Sequence, residues 1–307
     1  MTKKAAYKRR YLQMGSLLAQ TRGLLRRSGL RAKKGLGQHF LIDEEVLRLI
    51  ISAAELTSTD VIMEVGPGLG VLTRELARQA GWVVAVELDS KLAAILKETL
   101  ASFDNVAIVN EDILDIAPAS LLPEPKAKFP PGVTSPFGYK VVANLPYYIT
   151  SPVLRHFLEA SVKPQIMVVM AQREVAEVIV AKPGQMSVLS ISVQFYGEPK
   201  IIGYVPAKCF HPAPEVDSAI LRIDLYPQPA VAVTNERSFF ELVRAGFAAS
   251  RKQIGNSLAQ GLGLPKADVL SLLGAADIVP QRRAETLTLD EWARLWQVFS
   301  RAKETAC

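Results

Sequence analysis

The stretch DVIMEVGPGLGVLTRELARQ, residues 60–79, decides how this chain folds. Its first seven residues, Asp60 to Gly66, form a short apolar run of strand type. GVLTRELARQ then repeats apolar residues at helical spacing. Glycines 66, 68 and 70 lie between the two. A side chain at any of them would obstruct a ligand that must approach the backbone closely. The spacing is GxGxG with Pro67 inside it, not the GxGxxG of dinucleotide folds. Glu87 follows Gly66 by 21 residues, at the end of the next predicted strand, WVVAVELD. A carboxylate there accepts hydrogen bonds from both hydroxyls of a ribose.

Working outward, strand and helix signals keep alternating. KKGLGQHFLIDEEVLRLIISAAEL precedes the loop, with Asp43 as a predicted N-cap and Val46, Leu49, Ile50 and Ala53 on one helical face. SKLAAILKETLAS reads as a helix capped by Ser90, and NVAIVNEDILD as a strand running into Asp112. Ala117–Gly138 carries six prolines, which exclude a regular helix or central strand and predict a surface crossover loop. YKVVANLPYY is a fourth strand, SPVLRHFLEA a helix, and QIMVVMAQREVAEVIVA a strand then a helix. VLSISVQFYGEPKIIGYVP holds strand-like runs, and SAILRIDLYP is a last strand. This alternation predicts an α/β fold, a Rossmann-like, mostly parallel sheet with helices on both faces. From about Thr234 to Ala306 the pattern is helical throughout, a small all-α C-terminal domain. There FFELVRAGFAASRKQIGNSLAQGLG carries an apolar stripe at Val243, Phe247, Ile254 and Leu258, with Arg244 and Arg251 beside it on one face.

The chain has 307 residues and a formal charge of +6, unevenly spread. Residues 1–34 hold 11 Lys and Arg and no acid, leaving 25 basic and 30 acidic residues in the remainder. The basic character therefore belongs to an N-terminal arm, of the kind that touches nucleic acid. Two cysteines, Cys209 and Cys307, make neither a disulfide framework nor a metal cluster, so no metal and a reducing, cytoplasmic setting are expected. No apolar run is long enough to span a membrane.

The stretch VVANLPYYITSP, Val141 to Pro152, carries the chemistry. A buried strand ends there in an amide, a rigid proline and two tyrosines. Transfer to an exocyclic adenine N6 amine is difficult because its lone pair is delocalised into the ring. The Asn144 side-chain oxygen and the Leu145 carbonyl, held by Pro146, are acceptors for such an NH₂ group. Tyr147 offers a stacking face, worth about 1–3 kcal/mol per base, to a base that has left its stack. Asp112 is placed to accept from the exocyclic amine of a bound adenine, or to cap a turn.

NLPY, with GQHFL (residues 37–41) and EVGPGLGVLT, resembles the ribosomal RNA adenine N6-methyltransferase family, in particular its bacterial small-subunit (16S) adenine dimethyltransferases. The likeness runs from about Leu30 to Leu289, and VPAKCFHPAPEVDSAILRI and FAASRKQIGNSL share it. The resemblance implies a class I S-adenosylmethionine-dependent methyltransferase domain over residues 31–227 and a helical rRNA-binding domain over 228–307, after a basic arm of residues 1–30. It implies that His39 and Leu41 close over the methionine end of S-adenosylmethionine, as donors or walls. Gly66 would lie under it, with Glu87 on the ribose, Asp112 on the adenine and Asn144 touching both cofactor and target amine. Phe210 would form the second wall of the base pocket, and Arg244, Arg251 and Lys252 would bind phosphate. The sequence departs from the family at His39, where relatives carry Asn. The implied partner is 16S rRNA in the small subunit, with the chain as a monomer. A large-subunit rRNA methyltransferase, a DNA adenine methyltransferase and a non-catalytic assembly factor are the alternatives.

Overall fold

In the computed structural model, the structure describes residues 16–30, 32, 37–122, 138–249 and 251–306. Among the described residues, nine strands carry the fold: β1 (Phe40–Leu41), β2 (Val61–Val65), β3 (Trp82–Val86), β4 (Val106–Val109), β5 (Lys140–Asn144), β6 (Ile166–Gln172), β7 (Gly197–Val205), β8 (Phe210–His211) and β9 (Ser218–Leu225). Seven of them form one sheet in the order β4-β3-β2-β5-β6-β9-β7, while β1 and β8 pair separately. Pairs β2/β3, β3/β4, β2/β5 and β5/β6 are parallel, and β9 runs antiparallel to β6. All five residues of β2 are buried, as a central strand covered on both faces requires. The strand order reverses between β2 and β5, so a crevice opens at the carboxyl ends of those two strands.

The chain forms two compact units, one of residues 1–176 with 200–224, the other of 177–199 with 225–307. The first unit's core gathers Leu47, Ile50, Ile62, Leu76, Val83, Val142, Val168 and Ile220. The helical unit contains helices Val188–Tyr196, Glu236–Phe247, Ile254–Leu262, Lys266–Ala275 and Leu289–Ala306. Phe195 stacks on Phe239 at 5.1 Å, and Gly246 is needed because a Cβ there would collide with the buried Trp292 ring.

Several elements differ from the sequence reading. VLSISVQFY is a helix, not a strand. Its alternating pattern mimics a strand, but Ser187 and Ser190 form a reciprocal capping box, with Ser190 N–H donating to Ser187 Oγ at 3.1 Å. The cap of helix Ser90–Thr99 is Asp89, whose carboxylate accepts from Lys91 N–H at 3.0 Å; Ser90 is already helical. Asp43 caps helix Glu44–Ala53 as expected, but Leu49 is 38% exposed and Leu47 and Ile51 turn inward instead. Arg244 and Arg251 do not share a helical face: the helix ends at Phe247 and Arg251 lies in the turn before Ile254. The basic arm contains a helix, Leu17–Arg27, capped by Ser16. Of the proline-rich loop, Pro118–Leu121 is a short helix and residues 123–137 lie outside the described set.

One buried cation ties the sheet's lower end together. Lys140, 7% exposed at the start of β5, donates to the carbonyls of Ala54 (3.1 Å) and Glu55 (2.7 Å) and to Asp60 Oδ2 (2.9 Å). It thereby caps the end of helix Glu44–Ala53 and holds the entry of β2 against β5. Removing one partner of such a pair strands the other, at a cost of about 3 kcal/mol. Lys140→Ala is therefore expected to lower the unfolding free energy measured by urea titration by about 3 kcal/mol; an unchanged unfolding free energy would contradict the role given to this lysine.

Candidate active site

The residues that line the crevice come from the carboxyl ends of strands, from the β1 side of the β1–β8 clamp and from the first turns of helices Val71–Ala77 and Ser90–Thr99. Gly66, Gly68 and Gly70 all have positive φ, at 65°, 59° and 75°. The loop must therefore be glycine on conformational grounds. It is also tightly covered: a Cβ on Gly68 would lie 3.2 Å from the Phe40 ring, and one on Gly66 3.5 Å from Pro146 Cδ. So the glycine loop, the segment around Phe40 and the tetrapeptide Asn144-Leu145-Pro146-Tyr147 meet in one place.

Glu87 leaves β3 and turns into this loop. Its Oε2 accepts from Gly68 N–H at 3.0 Å and its Oε1 from Asp89 N–H at 2.9 Å. Burial raises its pKa, and those backbone donors pull the other way. Each oxygen keeps a further lone pair for a hydroxyl donor. Asp112 caps the turn Ile113–Asp115, with Oδ1 accepting from Leu114 N–H at 2.9 Å. Capping fixes the carboxylate's orientation and leaves its second oxygen to the crevice.

Asn144 ends β5, and its Nδ2 donates to the His39 carbonyl at 3.1 Å. The amide's donor end is thereby engaged, and its Oδ1 is the end left as acceptor. His39 is held in turn: its Nδ1 lies 2.7 Å from the Pro212 carbonyl, which can only accept, so Nδ1 carries the proton. With Nδ1 so engaged, Nε2 is the ring nitrogen left for a further partner. Tyr147 stacks on the His39 ring at 5.8 Å and shares a 2.7 Å hydrogen bond with Ser218 Oγ. Leu41, Leu145 and Pro146 line the same crevice.

Phe210 is the exception among the site residues named from sequence in this unit. It is 3% exposed, belongs to the main core cluster and is not among the residues lining the crevice. Side chains alternate along a strand, so in β8 Phe210 points into the core and His211 does not. Its contribution is to pair β8 with β1, Leu41 facing Phe210 and Phe40 facing His211. In the helical unit, Arg244, Arg251 and Lys252 are exposed, and Lys252 Nζ donates to Gln260 Oε1 at 3.2 Å.

The sequence reading missed four contributors. Leu88, 51% exposed, and Ile113, buried, are apolar lining residues next to Glu87 and Asp112. Tyr148, 55% exposed, lies at the rim. Glu64 is the fourth: it is 1% exposed in β2, its Oε2 has no hydrogen-bond partner, and it lines the crevice. Its signal was an acid inside the apolar run VIMEV. Glu64, Glu87, Asp89, Glu111 and Asp112 line the crevice, and no Lys or Arg among the described residues does. Such a lining disfavours a phosphate-bearing dinucleotide and suits a cationic or neutral nucleoside.

Burial, with the nearby Glu87 charge adding, pushes Glu64 up to about 8 from its ordinary 4.5. A carboxyl raised on folding holds its proton more tightly in the native state. Its contribution to stability is then fully present below pH 4.5 and is lost as pH rises towards 8. At its steepest the loss is about 1.4 kcal/mol per pH unit. In the ligand-free protein Glu64→Gln is expected to flatten the stability profile between pH 5 and 8; parallel profiles would contradict the shift.

Comparison with known proteins agrees with this geometry. Residues 29–299 match the family model described as ribosomal RNA adenine dimethylase. The chain is 51% identical over 286 residues to the ribosomal RNA small subunit methyltransferase A of Dehalococcoides mccartyi strain 195, covering 93% of this chain and 94% of that one. It is 42% identical to the enzyme of that name from Enterococcus faecalis, covering 93% and 96%. Among solved structures, the 23S rRNA methyltransferase ErmE aligns with a TM-score of 0.65 at 28% identity, over 85% of this chain and 99% of that one. A dimethyladenosine transferase from Plasmodium falciparum shares the fold, with a TM-score of 0.70 at 23% identity over 86% and 98%. With a glycine loop, a buried strand-end carboxylate and an Asn-Leu-Pro-Tyr strand end gathered at one switch point, and a family match spanning most of its length, the chain belongs to the ribosomal RNA adenine dimethylase family.

Proposed function

We propose that this chain transfers methyl groups from S-adenosylmethionine to the N6 amines of two adjacent adenosines, in a hairpin near the 3′ end of 16S rRNA. The substrate is the small ribosomal subunit during its assembly in the cytoplasm, and the chain acts as a monomer. The curated relatives named small subunit methyltransferase A, at 51% and 42% identity, favour that subunit over the large-subunit substrate of ErmE, at 28%. The lack of a helix long and apolar enough to cross a membrane, among the described residues, is compatible with this setting.

One observation carries the chemistry: Asn144 spends its Nδ2 on the His39 carbonyl, so Oδ1 is the end left for the target amine. The crevice also fits the donor. Gly68 leaves space where a Cβ would crowd Phe40, and the unpartnered Glu64 Oε2 lies in a lining without Lys or Arg among the described residues. When bound, S-adenosylmethionine supplies an electrophilic methyl group on a sulfonium. Glu87 would accept from the ribose hydroxyls and Asp112 from the adenine amine, between Leu88 and Ile113. Glu64 would face the positive end.

Asn144 Oδ1 and the Leu145 carbonyl would accept the two N6–H bonds of the flipped adenine. This draws the nitrogen lone pair out of the ring and aims it at the methyl carbon. The bound donor would supply the methyl group, its sulfur keeping the electron pair of the C–S bond, and the surplus N6 proton of the alkylated amine would leave to solvent. No ionised general base is required. Tyr147, fixed by Ser218 and His39, supplies the stacking face. After one transfer a single N6–H remains, so one of the two acceptors suffices for the second. Arg244, Arg251 and Lys252 are proposed phosphate contacts.

The direct test supplies labelled S-adenosylmethionine and unmodified small subunits, then identifies labelled nucleosides by mass. Dimethyladenosine from 16S rRNA is expected. Asn144→Ala should lower the transfer rate by at least about 100-fold, the scale for losing one preorganised hydrogen-bonding group, with folding unchanged. Label confined to large-subunit rRNA would overturn the substrate, and an active Asn144→Ala protein would overturn the mechanism.

A further inference from the structure

Helix Leu17–Arg27 precedes the family match, which begins at residue 29, and takes no part in the crevice chemistry. Its sequence, LLAQTRGLLRR, has three arginines and no acid. One face is occupied: Leu17 and Thr21 are 3% and 2% exposed, and Leu24 and Leu25 pack on Phe40, Leu69 and Leu92. The helix is thus seated on the glycine loop itself. Arg22, Arg26 and Arg27 are all exposed, and no hydrogen bond or ion pair engages their guanidinium groups among the described residues.

The helix dipole accounts for cations in the last turn, where Arg26 and Arg27 sit. It does not account for Arg22, one turn earlier. Arg22 and Arg26 are four residues apart, where like charges repel, and no acid relieves them. Both line one cleft with His211, and no carboxylate lines it. His211 stands opposite Phe40 in the β1–β8 clamp and next to Pro212, whose carbonyl holds His39. The clamp that orients Asn144 therefore also carries one wall of a basic cleft.

We propose that Arg22, Arg26 and His211 form a phosphate-binding cleft for the RNA backbone flanking the target adenosine. This rests on the rRNA reading above. Two guanidinium groups one helical turn apart, about 6 Å along the axis, suit successive phosphates of one strand, and the imidazole adds a third donor. The anchoring leucines make the cleft part of the rigid body that holds the glycine loop.

The test measures binding of the full chain to unmodified small subunits across a salt series. It compares the wild type with Arg22→Gln/Arg26→Gln and with Lys97→Gln/Lys266→Gln, which removes the same charge from exposed positions elsewhere. The arginine variant is expected to bind about 10-fold more weakly, with the log K against log salt slope reduced by about 1.5. Its thermal midpoint and S-adenosylmethionine affinity should stay at wild-type values. Unchanged affinity and slope, or an equal loss in the lysine control, would overturn the cleft while leaving the rRNA reading intact. A wild type that binds no small subunit would overturn that reading and the cleft with it.

Discussion

The hydrogen bond from Asn144 Nδ2 to the His39 carbonyl is the interaction on which the site depends. An amide side chain is nearly symmetric in shape and opposite in function at its two ends. Engaging the donor end on a backbone carbonyl decides which end meets the substrate. That carbonyl is held in place because His39 is tied to Pro212, Phe40 pairs with His211 and Ile42 N–H donates to the Cys209 carbonyl at 2.9 Å. Three segments distant in sequence thus fix one oxygen atom.

The sheet supplies the rest. Its strand order reverses between β2 and β5, so the glycine loop, Glu87, Asp112 and Asn144 emerge along one edge. A reaction that needs no ionised base relies on positioning, and the structure invests in positioning. Asp112 caps a turn and Asp89 a helix, Glu87 is held by two backbone N–H groups, and Tyr147 is locked by Ser218. Glu64 is the exception: it is a buried acid whose Oε2 has no hydrogen-bond partner, as the proposed binding of a cationic donor would suit.

Much of this was legible in the sequence. The glycines, Glu87 and Asn144 were readable because each sits at a strand end, where pattern and chemistry coincide. What escaped depended on long-range pairing or on small polar signals. Phe210 could not be placed from its motif, since a one-residue step along β8 separates core from surface. His39 could not be given a tautomer without Pro212, 173 positions away. The helix Val188–Tyr196 was hidden by an alternating pattern that two serines overruled through capping. In the arm, 11 basic residues drew the reading towards charge and away from the spacing of Leu17, Thr21 and Leu24.

The most direct measurement is an experimental structure of the chain with a hairpin of its rRNA substrate and the demethylated cofactor product. The account predicts the extruded adenine N6 within about 3 Å of both Asn144 Oδ1 and the Leu145 carbonyl, with Asn144 Nδ2 still on the His39 carbonyl. An amide turned the other way, with Nδ2 facing the base or N6 bound elsewhere, would contradict it.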